Sequence, residues 1–348
     1  MSRLLLEPIS RKKSDNMNKT LIIAEAGVNH NGNFKTALQL CDAAKEAGAD
    51  IVKFQNWKTE KIILKDVERA QYQKNNVKLE ETQFEMLKRL ELPYDDFHKI
   101  KTYCDNIGIT FASTADDIEG VDFLISLGIP FIKISSGDIN NIPYLRQTAR
   151  RNLPIILSTG MSSIGDVDKA YKTLRDVGAE DITLLHCTTN YPCPFEQVNL
   201  RAMVTLGNIF RVPVGYSDHT KGIEVPISAV ALGASVIEKH ITLDTAMEGP
   251  DHAASTEPKE FKMMVEAIRN IERALGNGEK RPSEEEKQNS NVILKRIIAA
   301  KDIACGDVIT EDMLAVMRSN SGFTPLAWDM VVGTRAWRKF SKGDSITI

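Results

Sequence analysis

Two apolar stretches of this sequence end in polar residues that include a histidine, a pattern that could build a metal site. The first begins at Val212 and reaches Ser217 and His219, and the second begins at Ala234 and reaches His240. Buried apolar strands separated by helix-length spacers are typical of a parallel sheet, and in a closed barrel the strand ends face one pocket. Imidazole pairs suit first-row metals. The alternative is two unrelated polar strand ends.

The other predicted strands end in cations and hydroxyl groups, which together suit a phosphate-bearing anion. These strand ends carry Glu25, Lys53, Gln55, Ser113, Thr114, Lys133, Ser135, Ser136, Ser158, Thr159, His186, Thr188, Thr189, Ser217 and Glu238. Lysines inside barrels also form Schiff bases in aldolases, but the hydroxyls around Lys53 and Lys133 favour an anion clamp. Glu25 is either a general base or a salt-bridge partner of one of these lysines.

Eight strand-then-helix units are expected to position these residues. Strands are predicted over residues 20–27, 51–55, 110–114, 131–136, 155–159 and 182–188, followed by the two stretches that carry the histidines. This alternation predicts an α/β fold, a closed (β/α)₈ TIM barrel. A doubly wound open sheet is the alternative, because strand order cannot be read from one sequence. The long connection over residues 56–92 is expected to form a lid or a substrate wall.

Composition divides the chain into four parts. Residues 1–18 are polar and basic, and we expect a disordered leader there. Residues 19–276 form the predicted barrel, which ends in a helix over 258–275 with an apolar stripe. Residues 277–290 are polar and predict a linker. Residues 291–348 contain short β-rich runs between glycines and predict a small β-rich domain.

Charge and composition argue against several classes of protein. The 348 residues carry a net charge of −3, which gives no general attraction to nucleic acid or to anionic membranes. No apolar run approaches the roughly 20 residues of a membrane span, and the leader lacks a signal-peptide core. Five cysteines without paired-ligand spacing are typical of reduced thiols in the cytoplasm, where we expect the protein.

Eight segments, taken in chain order, resemble the sialic acid synthase family. They are AEAGVNHNG at 24–32, VKFQ at 52–55, KISSGDINN at 133–141, LSTGM at 157–161, LHCTTNYP at 185–192, GYSDHT at 215–220, EKH at 238–240 and GPDH at 249–252. Residues 291–348 resemble the antifreeze-like (SAF, β-clip) domain of that family. Each segment alone is a weak signal, but the ordered set is highly specific and covers the chain after residue 18.

The resemblance implies a transferase that condenses phosphoenolpyruvate with an N-acetylated six-carbon aldehyde sugar. The sugar would be N-acetylmannosamine or 2,4-diacetamido-2,4,6-trideoxymannose, and the product N-acetylneuraminate or N,N'-diacetyllegionaminate. The methylene carbon of phosphoenolpyruvate attacks the aldehyde, water adds to the oxocarbenium carbon, and phosphate leaves by C–O cleavage. The competing hypotheses are a metal-independent Schiff-base aldolase or lyase on the same barrel and a non-catalytic carbohydrate-binding protein.

The resemblance also implies roles for individual residues. His219 and His240 would bind a divalent metal, most often Mn²⁺ with Mg²⁺ or Co²⁺ as alternatives, which polarises the aldehyde. Glu25 and Asp138 would be carboxylates near the reacting centre. The other implied substrate contacts are Lys53, Thr114, Lys133, Ser136, Ser158, Thr189 and Ser217 toward phosphoenolpyruvate, Tyr191 and Asp251 toward the sugar, and Gln55 as a further substrate-binding residue. Arg318 would enter the site of a second subunit, which implies a domain-swapped homodimer.

The sequence departs from the pattern of the family in three places. Ala115 and Asp116 stand where the family more often has a Pro-Phe pair after the third strand. Asp138 stands where glutamate is more common and is one methylene shorter. Residues 319–322 read SNSG in place of a Pro-Gly-Asn-Gly-like run after the tail arginine.

Overall fold

The computed structural model describes residues 19–347, and the first part of this range is a closed barrel of eight parallel strands. The strands are β1 (Leu21–Gly27), β2 (Ile51–Asn56), β3 (Thr110–Ala115), β4 (Ile132–Ile134), β5 (Ile155–Ser158), β6 (Ile182–Cys187), β7 (Val214–Asp218) and β8 (Val236–His240). They pair in sequential order, and β1 closes the ring against β8, with Leu21 opposite Val236 and Glu25 opposite His240. The predicted TIM barrel is therefore confirmed, and the doubly wound open sheet is excluded.

Helices cover the outside of the barrel. They are α1 (Phe34–Glu46), α2 (Thr59–Ile62), α3 (Gln71–Asn76), α4 (Gln83–Leu90), α5 (Tyr94–Ile107), α6 (Ile118–Ser126), α7 (Ile142–Ala149), α8 (Ile164–Asp176), α9 (Arg201–Phe210), α10 (Glu224–Ala231) and α11 (Pro258–Leu275). The largest apolar core lies between these helices and the strands, and Leu40, Phe97 and Phe261 are fully buried in it. The short helices α2, α3 and α4 form within the predicted lid segment, residues 56–92. No helix in the described part of the chain is long and apolar enough to cross a membrane.

A small apolar cluster, here called the barrel floor, fills the inside of the ring of strands. It contains Ile23, Ile51, Ala112, Phe131, Ile156, Leu185 and Val236. Gly215 of β7 leaves room for this cluster, since a Cβ there would lie 2.7 Å from Leu185 Cδ2 and 2.3 Å from Val236 O. Side chains two residues apart on a strand point to the same face, so the next inward residue of each strand lies one layer above the floor.

The chain divides into two compact units, and the second begins at Asn277. Its elements are α12 (Glu284–Ile293), the antiparallel strands β9 (Lys295–Ala299) and β10 (Leu314–Arg318), and α13 (Trp328–Val331). Its own core includes Ile297, Ile303 and Phe340.

The segment predicted to be a linker, residues 277–290, contains the first turns of α12. Ser283 starts this helix because its hydroxyl accepts from the Glu286 N–H while the Glu286 carboxylate accepts from the Ser283 N–H. The assignment of residues 277–290 as a linker stays a prediction. The predicted leader, residues 1–18, lies outside the described residues.

Candidate active site

The layer directly above the barrel floor consists of ionisable and hydroxyl side chains. Each of these residues lies two positions in the sequence after a member of the barrel floor, or after Gly215. They are Glu25, Lys53, Thr114, Lys133, Ser158, Cys187, Ser217 and Glu238. All eight side chains are buried. Because the barrel is closed, these positions form one ring, and five of the residues predicted to bind phosphoenolpyruvate are brought together in it.

Each lysine of this ring is held by a neighbour on the next strand. Lys53 Nζ lies 2.5 Å from Glu25 Oε2 and donates to Thr114 Oγ1 at 2.8 Å. Lys133 Nζ donates to Ser158 Oγ at 2.8 Å. Of the two interpretations of Glu25, the structure shows the salt bridge to a lysine. Both ammonium groups are thus fixed in space by partners that leave some of their N–H bonds for an anion.

Glu238 of β8 is a carboxylate that both lysines share, and no individual role was predicted for it from the sequence. Its Oε2 lies 3.6 Å from Lys53 Nζ, its Oε1 lies 3.5 Å from Lys133 Nζ, and Ser217 Oγ donates to Oε1 at 3.0 Å. Burial opposes the charge of Glu238, but the two lysines lower its pKa to about 2. Burial also opposes the charge of Lys53, but Glu238 and Glu25 raise its pKa. Because side chains alternate along a strand, Glu238 lies on the same face of β8 as His240, and the sequence could have indicated this position. Its contacts with Lys53 and Lys133 depend on closure of the barrel, which the sequence does not show.

Hydroxyl groups of two loops approach the backbone of Gly160, directly after β5. The Gly160 N–H donates to Ser136 Oγ at 2.9 Å, and Ser136 Oγ lies 3.2 Å from Cys187 Sγ. A Cβ at Gly160 would lie 2.5 Å from Thr189 Oγ1 and 2.9 Å from Ser136 Oγ. Glycine therefore permits this close approach, and it brings two further predicted ligands of phosphoenolpyruvate, Ser136 and Thr189, side by side.

The two histidines from which the metal site was predicted lie at the ends of adjacent strands, with ring centroids 5.6 Å apart. His219 Nδ1 lies 2.7 Å from Thr188 O. Because a carbonyl only accepts, this nitrogen carries the proton and the lone pair is on Nε2. His240 Nδ1 has no hydrogen-bond partner among the described atoms. Burial lowers the pKa of both rings, so both are neutral, the form that binds metals.

This pair fits a divalent metal whose remaining ligands come from water or substrate. Two neutral imidazoles, each with an available ring nitrogen, supply two ligands of a type that first-row metals accept. Within residues 19–347, no group of three or more His, Cys, Asp or Glu side chains could hold a metal by itself. Two imidazole ligands would leave further coordination positions of a bound metal for water or substrate.

Tyr191 and Asp251, predicted to face the sugar, border the histidine pair. The Tyr191 ring centroid lies 4.1 Å from that of His219, and Asp251 Oδ2 lies 3.8 Å from His240 Nδ1. Burial raises the pKa of Asp251 to about 7. The lid segment adds Tyr72, whose ring centroid lies 5.0 Å from that of Tyr191. An aromatic and partly protonated wall therefore faces the proposed metal position.

The lid segment is fastened to the loop after β8 by a side chain of α3. Asn76 Nδ2 donates to Pro250 O at 2.7 Å, next to Asp251 in the sequence. Tyr72 and Asn76, near the two ends of α3, contact the loops that follow β6 and β8. The predicted substrate wall over residues 56–92 thus lies against strand-end loops beside Tyr191 and Asp251.

Two further carboxylates at the strand ends, those of Glu25 and Asp138, have local partners. Gln55 Nε2 donates to Glu25 Oε1 at 2.9 Å, so the predicted substrate contact Gln55 fixes the orientation of this carboxylate. Asp138 accepts from Ser135 Oγ at 3.2 Å and from Asn141 Nδ2 at 3.1 Å. Burial raises the pKa of Asp138. Its carboxylate is held by its own loop, as the shorter side chain would favour.

Asp116, one of the departures from the family pattern, adds a further carboxyl group beside Asp138. Burial raises its pKa to about 7, and the charge of Asp138 adds to this effect while Lys53 opposes it. Asp116 departs from the family pattern, but no role in the site was predicted for it. A residue that replaces an aromatic side chain with an ionisable one is a signal that could have indicated this position.

Arg318, the predicted contact with the substrate carboxylate, is the last residue of β10 in the second unit. It pairs with Lys295 across the two-stranded sheet, and its side chain is exposed.

A closed (β/α)₈ barrel whose strands carry buried lysines, carboxylates and histidines at their carboxyl ends is the architecture of a barrel enzyme. The NeuB family model matches residues 40–280, and the SAF domain model matches residues 296–348. The chain belongs to the NeuB family.

Similar proteins extend over most of the chain. An N,N'-diacetyllegionaminic acid synthase from Legionella pneumophila subsp. pneumophila is 46% identical over 329 residues, 93% of this chain and 92% of that protein. An N-acetylneuraminate-9-phosphate synthase from Homo sapiens is 37% identical over 328 residues, 93% of this chain and 90% of that protein. The crystal structure of N-acetylneuraminic acid (sialic acid) synthetase from Leptospira borgpetersenii serovar Hardjo-bovis in complex with citrate has a TM-score of 0.71 and 34% identity, over 80% of this chain and 93% of that chain. The resemblance to sialic acid synthases is confirmed.

Proposed function

We propose that this protein is a nonulosonic acid synthase, which condenses phosphoenolpyruvate with an N-acetylated amino sugar in its aldehyde form and releases phosphate. The observation that carries this proposal is the buried lysine pair, Lys53 and Lys133, set among hydroxyl groups inside a NeuB-family barrel. Two fixed ammonium groups with unused N–H bonds suit a small substrate that has both a phosphate and a carboxylate.

The ring of buried side chains would bind phosphoenolpyruvate and leave its methylene carbon facing the sugar. Lys53 and Lys133 neutralise its anionic groups. Ser136, Ser158 and Thr189 add hydroxyl donors around the same substrate. The methylene carbon then forms a bond to the aldehyde carbon, water adds to the resulting oxocarbenium carbon, and the C–O bond to phosphate breaks. Fixed donors of this kind lower the barrier because they need no rearrangement as charge moves.

The histidine pair lies on the sugar side of the site. We propose His219 and His240 as the ligands of a divalent metal, Mn²⁺, which supplies Lewis acidity toward the aldehyde oxygen when bound. Tyr191 and Asp251 would orient the sugar beside it. Asp251, with a pKa of about 7, can hold or release a proton near neutral pH.

A Schiff-base aldolase is the second function that buried lysines could indicate. Such a lysine must lose its proton before it attacks a carbonyl group. Lys53 lies 2.5 Å from Glu25 and 3.6 Å from Glu238, and these carboxylates hold it in the protonated form. Lys133 lies 3.5 Å from Glu238 as well. We therefore expect no covalent lysine adduct when borohydride is added to the protein with pyruvate.

For the sugar we propose 2,4-diacetamido-2,4,6-trideoxymannose, which would make the product N,N'-diacetyllegionaminate. Two relatives named N,N'-diacetyllegionaminic acid synthase are 46% and 45% identical to this chain over 93% and 95% of its length. The human N-acetylneuraminate-9-phosphate synthase is less similar, at 37% identity. The higher identity over nearly the whole chain supports the diacetamido sugar over N-acetylmannosamine.

We also propose that the active unit is a domain-swapped homodimer in which Arg318 binds the substrate carboxylate in the partner's barrel. The exposed guanidinium at the end of β10 supports this, because it has room to form a bidentate contact with a carboxylate.

The test of the proposed function is a direct assay with both sugars. The purified protein is incubated with phosphoenolpyruvate, Mn²⁺ and each sugar in turn, and the product is identified by mass. We expect a nonulosonic acid with the diacetamido sugar, loss of activity with a chelator, and recovery when Mn²⁺ is restored. Full activity in a metal-free sample, or a product that requires pyruvate in place of phosphoenolpyruvate, would refute the proposal.

A further inference from the structure

Glu238 contacts both lysines of the anion site while being buried itself, with 5% of its surface exposed. Each carboxylate oxygen of Glu238 faces one lysine: Oε2 lies 3.6 Å from Lys53 Nζ, and Oε1 lies 3.5 Å from Lys133 Nζ. Ser217 Oγ donates to Oε1 at 3.0 Å, which fixes the orientation of the carboxylate. Glu238 is therefore held midway between the two cations that a phosphate-bearing substrate needs.

Without substrate, Glu238 is the carboxylate that faces both ammonium groups. Lys53 Nζ has Glu25 as a second carboxylate partner, whereas Lys133 Nζ has Glu238. A phosphate group that enters must compete with Glu238 for the same ammonium groups. In a buried site this competition is strong, since charges are weakly screened there.

Building on the proposed function, we infer that Glu238 is a positioning residue that serves as an internal counter-anion. It keeps Lys53 and Lys133 at a fixed spacing and lowers the affinity of the two lysines for phosphate. The binding class concerned is inorganic phosphate and phosphate monoesters. The consequence for turnover is that product phosphate dissociates quickly. When the C–O bond has broken, Glu238 again interacts with both lysines and displaces phosphate from them.

Glu25 provides an internal comparison. Among the described residues its ion pair is with Lys53, and its other oxygen accepts from Gln55 Nε2 at 2.9 Å. Removal of its charge frees one lysine, whereas removal of the Glu238 charge leaves both lysines without this partner. The effect on phosphate binding should therefore be larger at Glu238 than at Glu25.

The experiment measures binding of inorganic phosphate to the full-length protein by titration calorimetry. The variants are Glu238→Gln, which keeps the shape and removes the charge, Glu238→Asp, which keeps the charge, and Glu25→Gln, which removes the carboxylate charge beside Lys53. Glu46→Gln, on the exposed end of α1, is the matched charge control. We expect Glu238→Gln to lower the phosphate Kd about tenfold, Glu25→Gln to lower it less, and Glu238→Asp and Glu46→Gln to stay within about threefold of wild type.

Steady-state kinetics distinguish this role from a merely structural one, because loss of a structural contact would not strengthen product inhibition by phosphate. For Glu238→Gln we expect a lower kcat, a KM for phosphoenolpyruvate that does not rise, and product inhibition by phosphate about tenfold stronger. Unchanged or weaker phosphate binding in Glu238→Gln, or an equal gain in Glu46→Gln, would overturn the inference.

A thermal measurement keeps the test decisive if Glu238→Gln is unstable. Phosphate that binds the native state raises Tm, and tighter binding raises it more at the same concentration. We expect a larger phosphate-induced rise in Tm for Glu238→Gln than for wild type, and an equal or smaller rise would refute the role. If wild type binds neither phosphate nor phosphoenolpyruvate, the proposed function itself fails and this inference fails with it.

Discussion

At the scale of single residues, the site depends on charges that are buried and paired. Burial opposes the charge of Lys53, but Glu238 and Glu25 raise its pKa. The Lys133 ammonium group donates to Ser158 Oγ and lies 3.5 Å from Glu238 Oε1. By contrast, His219 and His240 remain neutral because burial lowers the pKa of each ring. One pocket therefore holds fixed cations for an anion and neutral nitrogens for a metal.

The first prediction concerns the lysines. In Lys53→Met and Lys133→Met the volume is largely kept and the charge is lost, which should cost about 1.5–3 kcal/mol of binding to an anion. The KM for phosphoenolpyruvate should rise about tenfold or more in each variant. Lys172→Met, on the exposed face of α8, is the control and should keep the wild-type KM. An unchanged KM in both site variants would place the phosphate elsewhere.

The second prediction concerns Asp116, whose folded-state pKa is raised from 3.8 to about 7. Between these values the folded state holds a proton that the unfolded state has lost, so stability falls as the pH rises through this window. Asp116→Asn removes the cost of the charge. Near pH 4 both proteins should melt at similar temperatures. At pH 8 the variant should be more stable by about 2 kcal/mol. Parallel Tm curves across this range, measured by calorimetry, would contradict the assignment.

At the scale of elements, period-two alternation explains why the site lies where it does. Seven of the eight strand positions contribute an apolar side chain to the barrel floor, and β7 contributes Gly215. Two positions later, each strand places an ionisable or hydroxyl side chain in the ring above the floor. Gly160 belongs to the loop after β5, where backbone and hydroxyl groups of neighbouring loops meet. Strand geometry therefore supplies the ring of buried polar side chains, and loop geometry supplies the hydroxyl groups beside Gly160.

The third prediction tests this loop. A Cβ at Gly160 would lie 2.5 Å from Thr189 Oγ1, so Gly160→Ala must displace hydroxyls that we assign to phosphoenolpyruvate. The KM for phosphoenolpyruvate should rise about tenfold, which corresponds to loss of roughly one hydrogen bond to a charged group. Gly137→Ala is a matched control, since its Cβ would meet Ser135 Oγ at an ordinary 3.5 Å. An equal KM for phosphoenolpyruvate in the two variants would contradict the assignment of the hydroxyls beside Gly160 to this substrate.

Much of this arrangement was predictable from sequence, and the missing parts have physical reasons. Alternation of strands and helices predicted the barrel and the strand ends, including the histidine pair. Short helices such as α3 escaped notice because six residues show too little periodicity. The pairing of Glu238 with two lysines requires three strands, β2, β4 and β8, to face one another across the closed barrel. Sequence alone does not supply that closure, so Glu238 received no role.

At the scale of the whole molecule, the chain contains two compact units with separate cores. The second has a small core and carries Arg318 on its outside. Small domains bury little of their surface, so a partner surface would contribute to their stability. A site completed by a second subunit would explain why an exposed arginine belongs to the tail.

The fourth prediction is complementation between two inactive chains. Arg318→Ala is mixed with His219→Ala under conditions that allow subunits to exchange. A swapped dimer would regain one intact site, with the barrel of the first chain and the tail of the second. We expect up to about a quarter of wild-type activity in the mixture, because half of the dimers are mixed and each has one complete site. If exchange is confirmed by mass and no activity returns, Arg318 does not act across a subunit boundary.

If the barrel uses phosphoenolpyruvate as a carbon nucleophile, the C–O bond of phosphoenolpyruvate must break. Phosphoenolpyruvate with ¹⁸O in the bridging C–O–P position tests this directly, in an assay with the diacetamido sugar and Mn²⁺. We expect a nine-carbon 2-keto acid without the label and inorganic phosphate that carries it, since water supplies the new oxygen on carbon. Label retained in the keto acid, or no condensation product from phosphoenolpyruvate with either sugar, would refute this reaction.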